Sequence, residues 1–258
     1  TNRGAIPPDI PTRDVLQEKL AYPNQKTTIS VGTSASLGLH VETTNPRATI
    51  TNVEFFTRGS KMGEGSYNIN GVVSSTADAE LGFAQAGSKQ VSVVYTWGAN
   101  NPGRYQIDVQ ITDSTGATRY LPSQFDFQFN SVNPGDSVPE TILVYPTVTP
   151  QEEDFDLEPL TRPIYEGSSI PIAGRVVDLG KDNSKMNFYI NGIKEYTLEI
   201  PDGEIISYPE YYPYVFVHQF NQPGYNFIWA ESEDAQGNRA MSEIFVLSVI
   251  QNSFLDQV

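Results

Sequence analysis

Two histidines, His40 and His218, are the side chains best suited to acid–base or nucleophile-activating chemistry in this sequence. Each falls in the middle of a predicted β-strand, where an imidazole is more often packed or hydrogen-bonded than catalytic. Their separation excludes an H-E-x-x-H zinc helix, and residues 32–36 lack the second glycine of a G-x-S-x-G nucleophile elbow. No glycine-rich run precedes Gly180-Lys181, so a phosphate-binding loop is not predicted either. We therefore predict that the protein is not an enzyme.

Carboxylates are abundant, and they are densest between Glu152 and Glu158, in a segment bracketed by Pro150 and Pro159. A pair of carboxylates can act in glycoside hydrolysis, and a cluster of carboxylate oxygens can bind Ca²⁺. The segment lacks EF-hand spacing and is equally typical of a solvated loop. We predict no cofactor and no metal site, with calcium at this loop as the alternative.

Three aromatic residues, Tyr225, Phe227 and Trp229, alternate along one predicted strand and point away from the face that carries Ile228 and Ala230. Most strands of a β-sandwich carry polar residues on that second face, as the matched earlier strand does with Arg104, Gln106, Asp108 and Gln110. A strand that is apolar on both faces is either covered on both by its own chain or offers a patch to a partner. Both alternatives remain open from the sequence.

A tyrosine-rich segment, residues 207–214, precedes this strand in the chain. Tyrosine and tryptophan are preferred anchors of protein interfaces, and their rings also stack on sugars. We therefore predict a partner-binding set made of Tyr211, Tyr212 and Tyr214 together with Tyr225, Phe227 and Trp229. The predicted partners are other protein subunits of an assembly, including further copies of this chain, with a glycan as the alternative.

These residues are carried by an internal repeat. Asn-Pro-Gly beginning at Asn101 and Gln-Pro-Gly beginning at Gln222 each lead into an extended stretch that ends in Asp-x-x-Gly, at Asp113 and Asp234. The Pro-Gly and Asp-x-x-Gly anchors recur at one constant offset, which indicates a repeated structural unit. The Asp-x-x-Gly elements are interpreted as turns, in which aspartate accepts backbone N–H groups and glycine takes positive φ. The first repeat is longer before its Pro-Gly turn, where Asn70-Gly71 predicts an extra hairpin.

Alternating apolar residues, frequent Gly and Pro, and plentiful Thr, Val, Ile, Tyr and Phe predict an all-β fold. About seven or eight strands per repeat, with turns at sandwich spacing, predict two tandem Ig-like antiparallel β-sandwiches joined by a short linker. The predicted boundaries are an N-terminal arm at 1–19, domain 1 at 20–132, a linker at 133–140, domain 2 at 141–250 and a C-terminal tail at 251–258.

The pattern of the second repeat resembles bacterial Ig-like domains. It contains Glu166-Gly167, the run Phe188-Tyr-Ile-Asn-Gly192, Pro223-Gly224 and the run Asp234-Ala-Gln-Gly-Asn238. The first repeat lacks an Asn-Gly hairpin directly after Phe56, and the second has Asn226 where the family usually has tyrosine. The resemblance implies a fold used in bacterial surface stalks and adhesins, in accessory modules of polysaccharide enzymes, and in phage virions, and it does not choose among these roles.

The formal net charge of −15 disfavours binding to nucleic acid or to an anionic membrane surface. No apolar run is long enough to insert into a membrane, and the chain contains no cysteine. We expect a non-catalytic structural and binding protein located in a virion, in the extracellular space or at the cell surface. The divergent repeats, with no visible signal peptide or sorting motif, favour a phage capsid or tail component over a bacterial adhesin stalk or a carbohydrate-binding accessory module.

Overall fold

The computed structural model describes residues 18–43, 47–57, 60–64, 66–69, 72–74, 90–146, 163–177, 183–199 and 214–251. Every regular element in these ranges is a β-strand. The same ranges contain no helix that could cross a membrane. The predicted all-β fold is confirmed: the strands form two Ig-like β-sandwiches.

The first sandwich contains ten strands in two sheets. Sheet 1 has the order β1-β3-β8-β6-β7, and sheet 2 has the order β2-β10-β9-β4-β5. The strands are β1 Glu18–Tyr22, β2 Thr27–Ser30, β3 Ser34–Glu42, β4 Ile50–Thr57, β5 Ser60–Glu64, β6 Ser66–Ile69, β7 Val72–Ser74, β8 Gln90–Gly98, β9 Gly103–Asp113 and β10 Thr118–Asn130.

The second sandwich contains the remaining strands, also in two sheets. Sheet 3 has the order β11-β13-β16, and sheet 4 has the order β12-β19-β17-β14-β15, with β18 also paired to β17. The strands are β11 Glu140–Pro146, β12 Ile164–Tyr165, β13 Ser168–Val177, β14 Asn183–Ile190, β15 Ile193–Glu199, β16 Tyr214–Phe220, β17 Gly224–Asp234, β18 Arg239–Met241 and β19 Phe245–Ile250.

The repeat seen in the sequence is a repeat of structure. β9 and β17 have 11 residues each, begin at the Gly of Pro-Gly and end at the Asp of Asp-x-x-Gly. Asp113 Oδ1 accepts the backbone N–H groups of Thr115 (2.9 Å) and Ala117 (3.0 Å), and Asp234 Oδ1 accepts the equivalent pair. Gly116 has a φ of 81°, which glycine adopts at little cost. The turn interpretation is confirmed.

The hairpin predicted in the first repeat is confirmed as β6 and β7, which pair antiparallel with Ile69 opposite Val72. β6 also pairs antiparallel with β8, so the hairpin extends sheet 1 beyond that strand. The second repeat is shorter in this region, and its equivalent strand, β16, is paired with β13 alone among the described strands.

Two features depart from the predicted antiparallel pattern. β2 pairs in parallel with β10, and β12 pairs in parallel with β19. In each repeat the chain therefore passes from one sheet to the other just before this short strand. The closing strand also differs between repeats. β10 runs through a bulge near Ser123, whereas its counterpart is split into β18 and β19. These differences depend on local backbone geometry, which period-2 alternation does not encode.

Asp113→Ala should lower the free energy of unfolding by about 2–3 kcal/mol, because it leaves backbone N–H groups without their charged acceptor. Asp113→Asn keeps the Oδ1 acceptor and should cost less than half as much. Urea denaturation of the three proteins measures both values. Equal losses for the two variants would show that the carboxylate acts through something other than these turn hydrogen bonds.

Candidate functional site

The candidate site is the sheet 4 face that carries the predicted aromatic residues. Side chains alternate across β17, so Ile228 and Ala230 enter the core of the second sandwich while Phe227 and Trp229 point to the opposite side. All four are at most 1% exposed. β17 is therefore a strand covered on both faces, and the cover on the aromatic side is the first sandwich.

The covering surface is the outer face of sheet 1. In β3, Leu37 and Leu39 face the core of the first sandwich, and Gly38 between them faces Phe227. A Cβ atom on Gly38 would lie 2.5 Å from Cδ1 of Phe227, so only glycine allows the two sheets to approach this closely. Tyr22 of β1 completes the contact, with its ring centroid 5.2 Å from that of Phe227.

Trp229 is held by neighbours from its own sheet. Its indole stacks on the ring of Tyr189 at a centroid distance of 5.1 Å and an interplanar angle of 5°. The indole Nε1–H donates to Oε1 of Glu231 at 3.2 Å. Burial raises the pKa of Glu231, and the opposing influences are hydrogen bonds from Trp229 and Tyr189 and the positive charge of Arg239. The carboxylate thus satisfies two buried donors at the rim of the contact.

The Asn191-Gly192 turn between β14 and β15 fixes the backbone of β17 at the same place. Asn191 N–H donates to the carbonyl of Phe227, and Asn191 Oδ1 accepts the backbone N–H of Phe227, both at 2.9 Å. Asn191 has a φ of 50°, which asparagine tolerates. The Asn191-Gly192 hairpin therefore also positions the central aromatic residue of the interface.

Polar contacts join the two sandwiches around this apolar centre. Ser36 Oγ accepts the backbone N–H of Ile244, and Ser30 Oγ accepts that of Arg239, each at 3.0 Å. Both acceptors are buried serine hydroxyls of the first sandwich. Because these donors are backbone groups at fixed positions of the second sandwich, the hydrogen bonds define where along each other the two sheets meet.

The linker is fastened to the second repeat. Asn238 Nδ2 donates to Asp136 Oδ2 at 2.6 Å and to Asp234 Oδ2 at 2.8 Å. Asn133 Nδ2 also donates to the carbonyl of Gln236 at 3.4 Å. Asn238 is buried, so its amide replaces water as the partner of both carboxylates. The segment that follows β10 is thereby held against the Asp-x-x-Gly turn.

His40 is the buried titratable group of the interface. Its Nδ1 lies 2.8 Å from Oγ of Ser92, and its ring stacks on Tyr225 with centroids 4.1 Å apart. Burial lowers the pKa of His40 to about 4, although the nearby carboxylate of Glu42 acts in the opposite direction. The imidazole is therefore neutral at physiological pH and serves as a packed, hydrogen-bonded side chain.

The structure brings together Tyr225, Phe227 and Trp229 and places them at an interface inside the chain. Phe227 and Trp229 are not accessible to a partner in this arrangement, and Tyr225 is half-buried against His40. Of the two alternatives left by the sequence, the intramolecular one is observed. Tyr211 and Tyr212 lie outside the described residues, and so does the acidic loop. Tyr214 is the first residue of β16, where it lies opposite Gly174 of β13.

The first-repeat half of the interface was missed by the sequence analysis. Ser36, Gly38 and His40 occupy the second face of β3, where a solvent-facing strand normally carries charged residues. The available signal was therefore the lack of charge on that face, because it contains two small residues and a neutral imidazole.

No three His, Cys, Asp or Glu side chains in the described ranges lie together as metal ligands would. Nδ1 of His218, the second histidine, lies 3.8 Å from Oε2 of Glu195. Burial lowers the pKa of His218. The contacts at the candidate site hold sheet 1 and sheet 4 together.

No protein-family model and no curated protein matches the chain. Among solved structures, the chain is similar to fibronectin(III)-like modules of Clostridium thermocellum CbhA, with 12% identity, 92% of this chain and 96% of that chain covered, and a TM-score of 0.32. The Ig1-2 module of the Drosophila receptor protein tyrosine phosphatase DLAR is 11% identical, with 91% of this chain and 100% of that chain covered and a TM-score of 0.30. The D00-D0 domain of intimin is 10% identical, with 89% of this chain and 99% of that chain covered and a TM-score of 0.24. These likenesses are too distant to transfer a function.

Gly38→Ala should lower the free energy of unfolding by about 1–3 kcal/mol, because the added methyl group overpacks the contact with Phe227. In a Phe227→Ala background the same substitution should cost less than about 1 kcal/mol, since the clashing ring is gone. Urea denaturation of the four proteins gives the coupling energy. A Gly38→Ala cost that is the same in both backgrounds would mean that the two sheets do not meet at this point.

Acidification should destabilise the protein through His40. An unfolded chain binds a proton on histidine near pH 6.5, and the folded chain binds it near pH 4. The contribution is therefore fully present above pH 6.5 and is lost as the pH falls towards 4, by about 3 kcal/mol.

The non-titrating variant His40→Gln provides the control for this pH effect. Urea denaturation at pH 7.5 and at pH 4 should show a loss of stability about 3 kcal/mol smaller in the variant than in the unmodified protein. Equal losses would mean that His40 is accessible to protons in the folded state.

Proposed function

We propose that this chain is a non-catalytic structural and binding module that holds two Ig-like sandwiches in one fixed orientation within an assembly. The observation that carries the proposal is the buried contact between sheet 1 and sheet 4. Burying an aromatic side chain such as Phe227 contributes about 1.5–3 kcal/mol, and the serine and linker hydrogen bonds add directional restraints. A module built this way transmits spacing and orientation, which is what a structural subunit requires.

We further propose that the assembly lies outside the cytoplasm, as part of a virion or a cell surface, with a phage capsid or tail as the favoured setting. The lack of cysteine suits a bacterial or phage protein whose stability does not depend on disulfides. The net charge of −15 suits a protein that must remain soluble for long periods. The alternatives are a bacterial adhesin stalk and a carbohydrate-binding accessory module of a secreted polysaccharide hydrolase.

The fixed orientation can be measured because the chain contains no cysteine, so two introduced cysteines are the only labelling sites. Spin labels at exposed positions, Thr118→Cys on the first sandwich and Ile193→Cys on the second, report the distance between the sandwiches by double electron–electron resonance. We expect a single narrow distance distribution that broadens when Phe227→Ala is added. Several distances in the protein without Phe227→Ala would contradict a fixed module.

The carbohydrate alternative is tested by glycan-array binding of the intact protein. Binding that is lost in Tyr212→Ala and retained in Tyr165→Ala, another tyrosine substitution in the second repeat, would favour an accessory module over a structural one.

A further inference from the structure

Among the described strands, β16 lies at one edge of sheet 3, away from the contact between sheet 1 and sheet 4. β16 pairs with β13 on one side, and no other described strand pairs with its second side. Its outward side chains include Val215, which is 43% exposed, and Val217, which is 65% exposed. A strand edge presents unpaired N–H and C=O groups and is therefore a template for another strand.

The first repeat shows what such an edge accepts. β8 occupies the same position in sheet 1, beside β3, that β16 occupies in sheet 3, beside β13. The outer edge of β8 is covered by β6, which pairs antiparallel with it, Ser66 lying opposite Val94. The hairpin that supplies β6 has no counterpart among the described strands of the second repeat. The first repeat thus carries an antiparallel strand at this place, and no described strand of the second repeat occupies the equivalent position.

β16 also lacks the features by which edge strands normally avoid pairing. Its sequence, Tyr-Val-Phe-Val-His-Gln-Phe, contains no Lys, Arg, Asp, Glu, Gly or Pro. The other edge of sheet 3, β11, carries Glu140 and Pro146 and has a register shift. β15, at the edge of sheet 4, carries Lys194 and Glu195 and pairs through a bulge. Charges, prolines and bulges at these edges oppose the addition of a strand, and β16 has none of them.

We propose that β16 pairs antiparallel with β16 of a second copy of this chain, so that one sheet runs through both copies. The two-fold axis passes next to Val217, so this residue lies opposite Val217 of the second copy. Val215 then lies opposite Gln219, and Phe216 opposite His218, of the second copy. The exposed valine is then buried against an identical side chain, and the aromatic ring meets an imidazole ring. A two-fold axis is the usual symmetry of soluble oligomers.

Charge explains why this edge suits a second copy. Two chains of net charge −15 repel each other, so a contact between copies is favoured where the contacting strands themselves carry no carboxylate. β16 has no acidic residue, and burial lowers the pKa of His218, although the nearby carboxylate of Glu195 acts in the opposite direction. The pairing does not depend on the proposed structural function, because a dimer of this kind is compatible with any role of the chain.

Light scattering of the purified chain at about 100 µM should give twice the 28.5 kDa mass of one chain. Val217→Lys and Val217→Glu should each give a monomer, because each places two like charges directly opposite one another at the two-fold axis. An equimolar mixture of the two variants should recover the dimer, since the opposed charges are then of opposite sign.

Ile193→Lys is the matched control. Ile193 is 63% exposed on β15, the edge strand of sheet 4, and the substitution introduces the same charge as Val217→Lys. It should leave the dimer intact. Recovery of the dimer in the mixture also shows that the two Val217 variants fold. A monomer for the unmodified chain, or a dimer that persists in both Val217 variants, would overturn the proposal.

Discussion

The contact between sheet 1 and sheet 4 is the constraint on which the rest of this structure depends. Phe227 occupies the space over Gly38, so each sandwich supplies what the other lacks: one a large ring, the other an absent side chain. β3 and β17 are consequently buried on both faces, and the sheets stack in the order 2, 1, 4, 3. The aromatic face of sheet 4 thereby joins the apolar core of the first sandwich, while the second sandwich keeps a core of its own.

Much of this architecture could be predicted, because it follows from short-range patterns. The Asp-x-x-Gly turns, the matched strands β9 and β17, and the β6–β7 hairpin all depend on residues close together in sequence. The parallel pairing of β2 with β10 could not be predicted in this way. It joins Thr27 to Phe127, and a strand of four residues does not indicate which sheet it will enter.

The candidate site was predictable on one side only. Alternation along β17 identified a second face that is aromatic and unsuited to solvent exposure, which is a property of the strand itself. What covers that face is decided by residues nearly 200 positions away, and the decisive one, Gly38, contributes no side chain. A glycine in a strand is a weak signal, because it marks a bulge, a bend or a close approach equally well. The tyrosine ring of Tyr22 and the imidazole of His40 gave no stronger indication.

The outer face of sheet 2 differs in character from the aromatic face of sheet 4. The face of β9 that corresponds to the aromatic face of β17 is not apolar. That face instead carries Arg104, whose Nε and Nη2 donate to both carboxylate oxygens of Asp126 at 2.8 and 2.7 Å. It also carries Asp108, which accepts the Tyr120 hydroxyl and the backbone N–H of Ser123. Removing these paired charges from water would carry a desolvation cost that an apolar face does not have. The two repeats therefore diverge where their surroundings differ: the face of β17 that packs on the first sandwich is apolar, and the corresponding face of β9 carries paired charges.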